Sequence, residues 1–262
     1  MSKQAYNWKR FWCPRTAQIN LGDRGYLVDP ESESGKHYNP ELVGLEAIAD
    51  IPCLALLGEP GIGKSKAIER AIEIRSNGQD PLVLALHSYG SEDRLIRDLF
   101  ESSQFRAWIE GSHTLHIFLD SLDECLLRID NVTALLAEEF KRHQDKVDHL
   151  FLRIACRTAV WQSSFEKQLQ QIWGEDKVEV YELAPLRWLD VRHAAECKGI
   201  ENPDLFMKEI WDKRAVSFAI KPITLGFLLN VYRRNGQFSH QQTLSDLYIE
   251  GCRILCDEEE DK

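Results

Sequence analysis

Eight consecutive residues, Gly58-Glu59-Pro60-Gly61-Ile62-Gly63-Lys64-Ser65, set three glycines, a lysine and a hydroxyl at a spacing that suits a polyphosphate. Glycine lets the backbone wrap closely around phosphate oxygens, and the turned chain presents several N–H groups to them. The helix expected next adds the positive end of its dipole. Lys64 is placed to reach the β- and γ-phosphates, and Ser65 to offer its hydroxyl to Mg²⁺. The nucleotide-contacting set expected from this loop runs from Gly58 through Lys66.

A second group, Asp120-Ser121-Leu122-Asp123-Glu124, closes the apolar run Leu115-His116-Ile117-Phe118-Leu119. Mg²⁺ is held by one or two carboxylates together with phosphate oxygens and water, and Asp120 is the candidate ligand, direct or through water. A further acid must orient or activate the attacking water. Glu124 is favoured for that role, and Asp123 stays open beside it. Arg157, after a later apolar run, is placed either to read the γ-phosphate and the acids or to close an ion pair at a strand end. Pro222, in Lys221-Pro222-Ile223, suits the first turn of a helix, and its ring also suits packing on a base.

The elements that must hold these groups are legible from pattern. Short apolar runs at 53–57, 82–86, 115–119, 150–155 and 178–183 read as buried parallel strands. Between them, helices are expected at 65–75, with Ala67, Ile68, Ala71, Ile72 and Ile74 facing inward, at 92–105 and at 132–143. This alternation predicts an α/β fold, a three-layer parallel sheet with its ligand at the carboxyl ends of the strands. After Pro185 only helices are expected, at 189–197, 203–210, 223–232 and 243–255. The expected organisation is an N-terminal arm (1–50), a nucleotide-binding domain (51–184) and a small all-helical subdomain (185–262). Residues 22–44 read as loop, and Tyr26 to Pro30 as a segment that could fold over the base. Trp161, Trp173, Trp188 and Trp211 are expected in core or interdomain packing.

The chain has 262 residues, 44% of them hydrophobic and 28% charged, and a net charge of −10. Such a balance suits a globular protein and argues against broad binding to nucleic acid, which needs a basic face. Seven cysteines without paired spacing fit a reducing, cytoplasmic setting. No apolar run is long enough for a membrane span. His113, His116, His143 and His149 show no metal-ligand spacing.

Together these motifs resemble the NACHT family, a branch of the signal-transduction (STAND) P-loop NTPases. The resemblance rests on the phosphate loop and on Asp120-Ser121-Leu122-Asp123-Glu124, where the family often has glycine in place of Ser121. It is supported by Cys156-Arg157-Thr158, by Pro222 and by Leu244-Ser245-Asp246-Leu247-Tyr248, and it covers residues 50 to 255. It implies that Pro222 contacts the adenine side of the nucleotide. It also implies slow ATP hydrolysis, an ADP-bound resting form and an ATP-bound form that assembles into a homo-oligomer. Sensor or effector partts of the kind found in the family are not visible in this chain, and many prokaryotic relatives act in defence or stress signalling. A second expectation is an AAA-type motor or loader, which needs an arginine from a neighbouring subunit; Arg142, Arg153 and Arg192 are available. A third is a module that holds nucleotide without hydrolysing it.

Overall fold

The computed structural model describes residues 8–75, 80–239 and 243–260. One seven-stranded sheet forms the centre: β1 (Phe11–Pro14), β2 (Val43–Gly44), β3 (Cys53–Leu57), β4 (Leu82–Ala85), β5 (Leu115–Asp120), β6 (Leu150–Cys156) and β7 (Val178–Leu183). Their order across the sheet is β2-β1-β7-β3-β6-β5-β4. The five strands read from the sequence run parallel, while β1 is antiparallel to both β7 and β2.

Twelve α-helices are found among the described residues. The first two are α1 (Glu33–Tyr38) and α2 (Lys64–Arg75), followed by α3 (Glu92–Phe100), α4 (Ser103–Glu110), α5 (Leu122–Cys125), α6 (Val132–Lys141) and α7 (Ser163–Trp173). The remainder are α8 (Trp188–Cys197), α9 (Pro203–Asp212), α10 (Val216–Ala219), α11 (Pro222–Asn235) and α12 (Leu244–Glu260).

Alternation along β3 shows why that strand reads as continuously apolar. Cys53, Ala55 and Leu57 enter the core beneath α3 to α7, and Leu54 and Leu56 enter the opposite core with α2. The α2 face is the expected one: Ala67, Ile68 and Ala71 are buried there, with Ile72 and Ile74 against them. A third apolar cluster spans Leu186 to Leu247 and includes one residue from far upstream, Tyr26.

The structure departs from the sequence reading in several places. The helix expected over 92–105 breaks at Glu101-Ser102, where the Ser102 hydroxyl accepts the Phe105 N–H at 3.2 Å and starts α4. Residues 22–44 hold α1, capped by Ser32, and the short strand β2. Within the N-terminal arm, Phe11–Pro14 contributes a strand, β1. Tyr26 is buried in the helical cluster, and Asp29 pairs with Arg187 at 3.0 Å. Trp161 and Trp173 are buried and Trp188 is half-buried, but Trp211 is exposed, because α9 turns that face outward.

Candidate functional site

Residues 58–63 leave β3 at its carboxyl end and turn into α2. The Gly63 carbonyl accepts the Ala67 N–H at 3.1 Å, so the loop passes directly into helical hydrogen bonding. Gly61 and Gly63 have φ of +74° and +103°, in the left-handed range where a side chain is strained. Space is closed at Gly58 and Gly61. A methyl on Gly58 would stand 2.8 Å from Ile62 Cγ2, and one on Gly61 would overlap Ile223 Cγ2. The loop is a tight cradle of backbone, as a polyphosphate site requires.

Lys64 turns back over this cradle, its Nζ donating to the carbonyls of Gly58 at 2.8 Å and Glu59 at 3.2 Å. Loss of hydration lowers its pKa, opposed by Asp123 and Asp120, while Arg157 adds to the lowering. Asp120, Asp123 and Arg157 therefore all act on this one ammonium. Ser65 is exposed in the first turn of α2, and the Lys66 side chain points to solvent, where it pairs with Glu69.

The sheet order explains why distant residues converge. β5 ends in Asp120, β6 lies between β5 and β3, and Arg157 follows β6 directly. Arg157 thus emerges between the loop and the acids. Its Nε lies 2.6 Å from Asp123 Oδ2, and its backbone N–H donates to Asp123 Oδ1 at 3.1 Å. Glu124 sits farther from the guanidinium, at 3.9 Å. The Asp123 side chain is 6% exposed and that of Glu124 is 46% exposed. One acid is held by arginine and backbone, and the other is open to water. Ser121, joining β5 to α5, has φ +63° and ψ +45°, a conformation glycine would adopt without strain. The domain is a P-loop NTPase fold.

Two remote segments close the P-loop. Lys221-Pro222-Ile223 enters α11 with proline in its first turn. Pro222 Cγ lies 3.7 Å from where a Gly63 Cβ would be, the Ile223 N–H faces the Gly61 carbonyl at 3.4 Å, and Lys221 pairs with Glu59. Pro222 is thus both the opening residue of a helix and a wall of the loop. Sequence reading did not single out the other segment: Arg10 donates to the Ile62 carbonyl and to the Ala184 carbonyl, each at 2.8 Å. Its signal was slight, a basic residue before the three-residue apolar run Phe11-Trp12-Cys13.

The candidate trans-acting arginines are engaged. Arg153 is 3% exposed and donates to the carbonyls of Ala49, Pro52 and Leu152. Arg142 pairs with Glu138 and Glu139, and Arg192 with Glu196 and Asp204.

No protein-family model matches the chain, and no characterised sequence matches it either. Among solved structures it is similar to a Walker-type ATPase of Pyrococcus abyssi, at 16% identity over 93% of this chain and 77% of that one, with a TM-score of 0.47. It is also similar to Cdc6p from Pyrobaculum aerophilum (15% identity, 71% of this chain and 57% of that one, TM-score 0.46). A third likeness is to the AAA domain of FIGL-1 in complex with ADP (13% identity, 93% and 86%, TM-score 0.45). The chain spans less than two thirds of the length of Cdc6p.

The donor set fits Mg²⁺ with a nucleoside triphosphate. The cradle has no room for side chains, one hydroxyl stands at the start of α2, and one carboxylate ends β5. A hydroxyl and a carboxylate are the hard oxygen ligands this ion takes alongside phosphate oxygens. Among the described residues, no helix is long and apolar enough to cross a membrane.

Proposed function

We propose that this chain is a nucleotide-driven switch of the NACHT/STAND type, which binds ATP, hydrolyses it slowly and rests with ADP. The observation that carries this reading is the seat of α11 on the P-loop. Lys221, Pro222 and Ile223 belong to the helical cluster's side of the chain yet touch Glu59, Gly63 and Gly61. Any ligand that reshapes the loop therefore acts on the helical unit, here taken to begin at residue 185. A ligand biases such a two-state arrangement only through contacts that differ between the states.

The residues divide the work. The loop amides and Lys64 hold the phosphates, and Pro222 borders the side expected to take adenine. Mg²⁺, held by Ser65 and Asp120, would neutralise charge on the β- and γ-oxygens. Glu124, open to water, accepts the proton of the attacking water. Asp123 keeps Arg157 in place between the acids and the loop, where a nucleotide with one phosphate fewer presents it with less negative charge. The ATP form is expected to release α11 and to assemble into a homo-oligomer.

The test is to denature the purified protein, identify any released nucleotide by chromatography, and assay ATP turnover on refilled protein. Bound ADP with little turnover is the expected result. An empty site with brisk turnover stimulated by a polymer would overturn the switch and favour an AAA-type loader.

A further inference from the structure

Arg10 stands outside the motif-bearing residues yet touches the P-loop. It precedes β1, which runs antiparallel to β7 with Trp12 opposite Leu183. That direction brings the start of β1 to the carboxyl end of β7, the edge at which the P-loop lies. A parallel strand there would have carried Arg10 to the far edge. The guanidinium is half-buried, and its two partners are both backbone carbonyls: Ile62 in the loop and Ala184, one residue before Pro185. Loss of hydration pushes its pKa down to about 10, against the pull of Asp190. A cation is being kept in a costly place for two carbonyl contacts.

The Ile62 carbonyl and the Gly63 N–H belong to the same peptide group, and the described chain has no cis peptide bond. In a trans peptide the C=O and N–H point in opposite directions. With the carbonyl held by Arg10, the Gly63 N–H must face away from Arg10. Arg10 Nη1 also lies 3.0 Å from where a Gly63 Cβ would stand, so the guanidinium backs the loop on its outer side. The amide is thereby aimed inward, where a phosphate would sit.

We propose that Arg10 is a positioning residue for nucleotide binding: it clamps the Ile62–Gly63 peptide so that the Gly63 N–H donates to phosphate, and it ties that peptide to Ala184 at the exit of β7. The proposal rests on reading residues 58–65 as the nucleotide site. The fork of the guanidinium is essential to it, because one planar group spans two acceptors where a lysine ammonium is a point charge. Movement of the chain at Pro185 then changes the grip on phosphate through Ala184 and Arg10, a route separate from the seat of α11 on the loop.

The experiment compares Arg10→Ala, Arg10→Lys and Lys64→Ala with the unaltered chain, titrating ADP and Mg·ATP by calorimetry and measuring turnover at saturating ATP. For Arg10→Ala, affinity for both nucleotides should fall about tenfold. Turnover of the filled site should stay within about twofold, since Arg10 touches neither acid. Wild-type affinity in Arg10→Ala would overturn the proposal, and so would a fall in saturated turnover as large as the fall in affinity. If Arg10→Ala does not fold, Arg10→Lys decides: weaker binding at an unchanged melting temperature supports the clamp, and wild-type binding overturns it. Unchanged affinity in Lys64→Ala would instead remove the nucleotide-site reading, whatever Arg10 does.

Discussion

The P-loop has two kinds of wall. On the sheet side, Lys64 at the start of α2, Asp120 at the end of β5, Asp123 in α5 and Arg157 just after β6 gather at the carboxyl ends of adjoining parallel strands and interact with one another. On the helical side, a proline ring, an isoleucine half exposed to solvent, and one solvent-facing ion pair rest against the backbone of the loop. The first wall is a coupled charge network on a rigid scaffold, and so suited to chemistry. The second is a light contact that can break at small cost, since exposed ion pairs contribute only ~0–1 kcal/mol. In the proposed switch, the sheet side would carry the chemistry and sense the phosphates, and the helical side would be the part released.

The contrast is broken most severely on the sheet side. Lys64→Ala should cost at least roughly 100-fold in nucleotide affinity, read by calorimetry; unchanged affinity would remove the site. Glu124→Gln should leave ATP binding intact and slow turnover by about 100-fold or more, the usual share of a general base. Wild-type turnover in that variant would move the role to Asp123, against the difference in their exposure. On the helical side, Lys221→Ala should change ADP affinity by less than about fivefold, as the loss of an exposed pair implies. A larger effect would mean that the helical wall is not lightly held. Smallest of all, Ser121→Gly should relieve left-handed backbone strain, offset by glycine's greater chain entropy, for a net gain of about 0.5–1 kcal/mol. Thermal melting would show this as a rise of about 1–4 °C, and a fall would mean that the Ser121 side chain does something glycine cannot.

The loop and the parallel strands were legible because their signals are local. Phosphate binding by backbone needs glycines at set intervals, and a strand buried on both faces needs an unbroken apolar run such as Cys53 to Leu57. The break at Ser102 was also local, a serine cap, but the apolar pattern running through it masked the signal. β1 was not legible as a strand. Phe11-Trp12-Cys13 is too short to show alternation, and what makes it a strand is the free edge of β7, whose last strand residues come some 170 residues later.

Residue types and their spacing determined that a polyphosphate cradle, a carboxylate pair and a helical C-terminal segment would be present. Only the tertiary structure decided which acid is held and which is open, because that depends on β6 delivering Arg157 beside Asp123. It also decided that Arg10 and Ile223 reach the loop. Sheet order and strand direction set those approaches, and both follow from pairings between segments far apart in the chain, which no local pattern records.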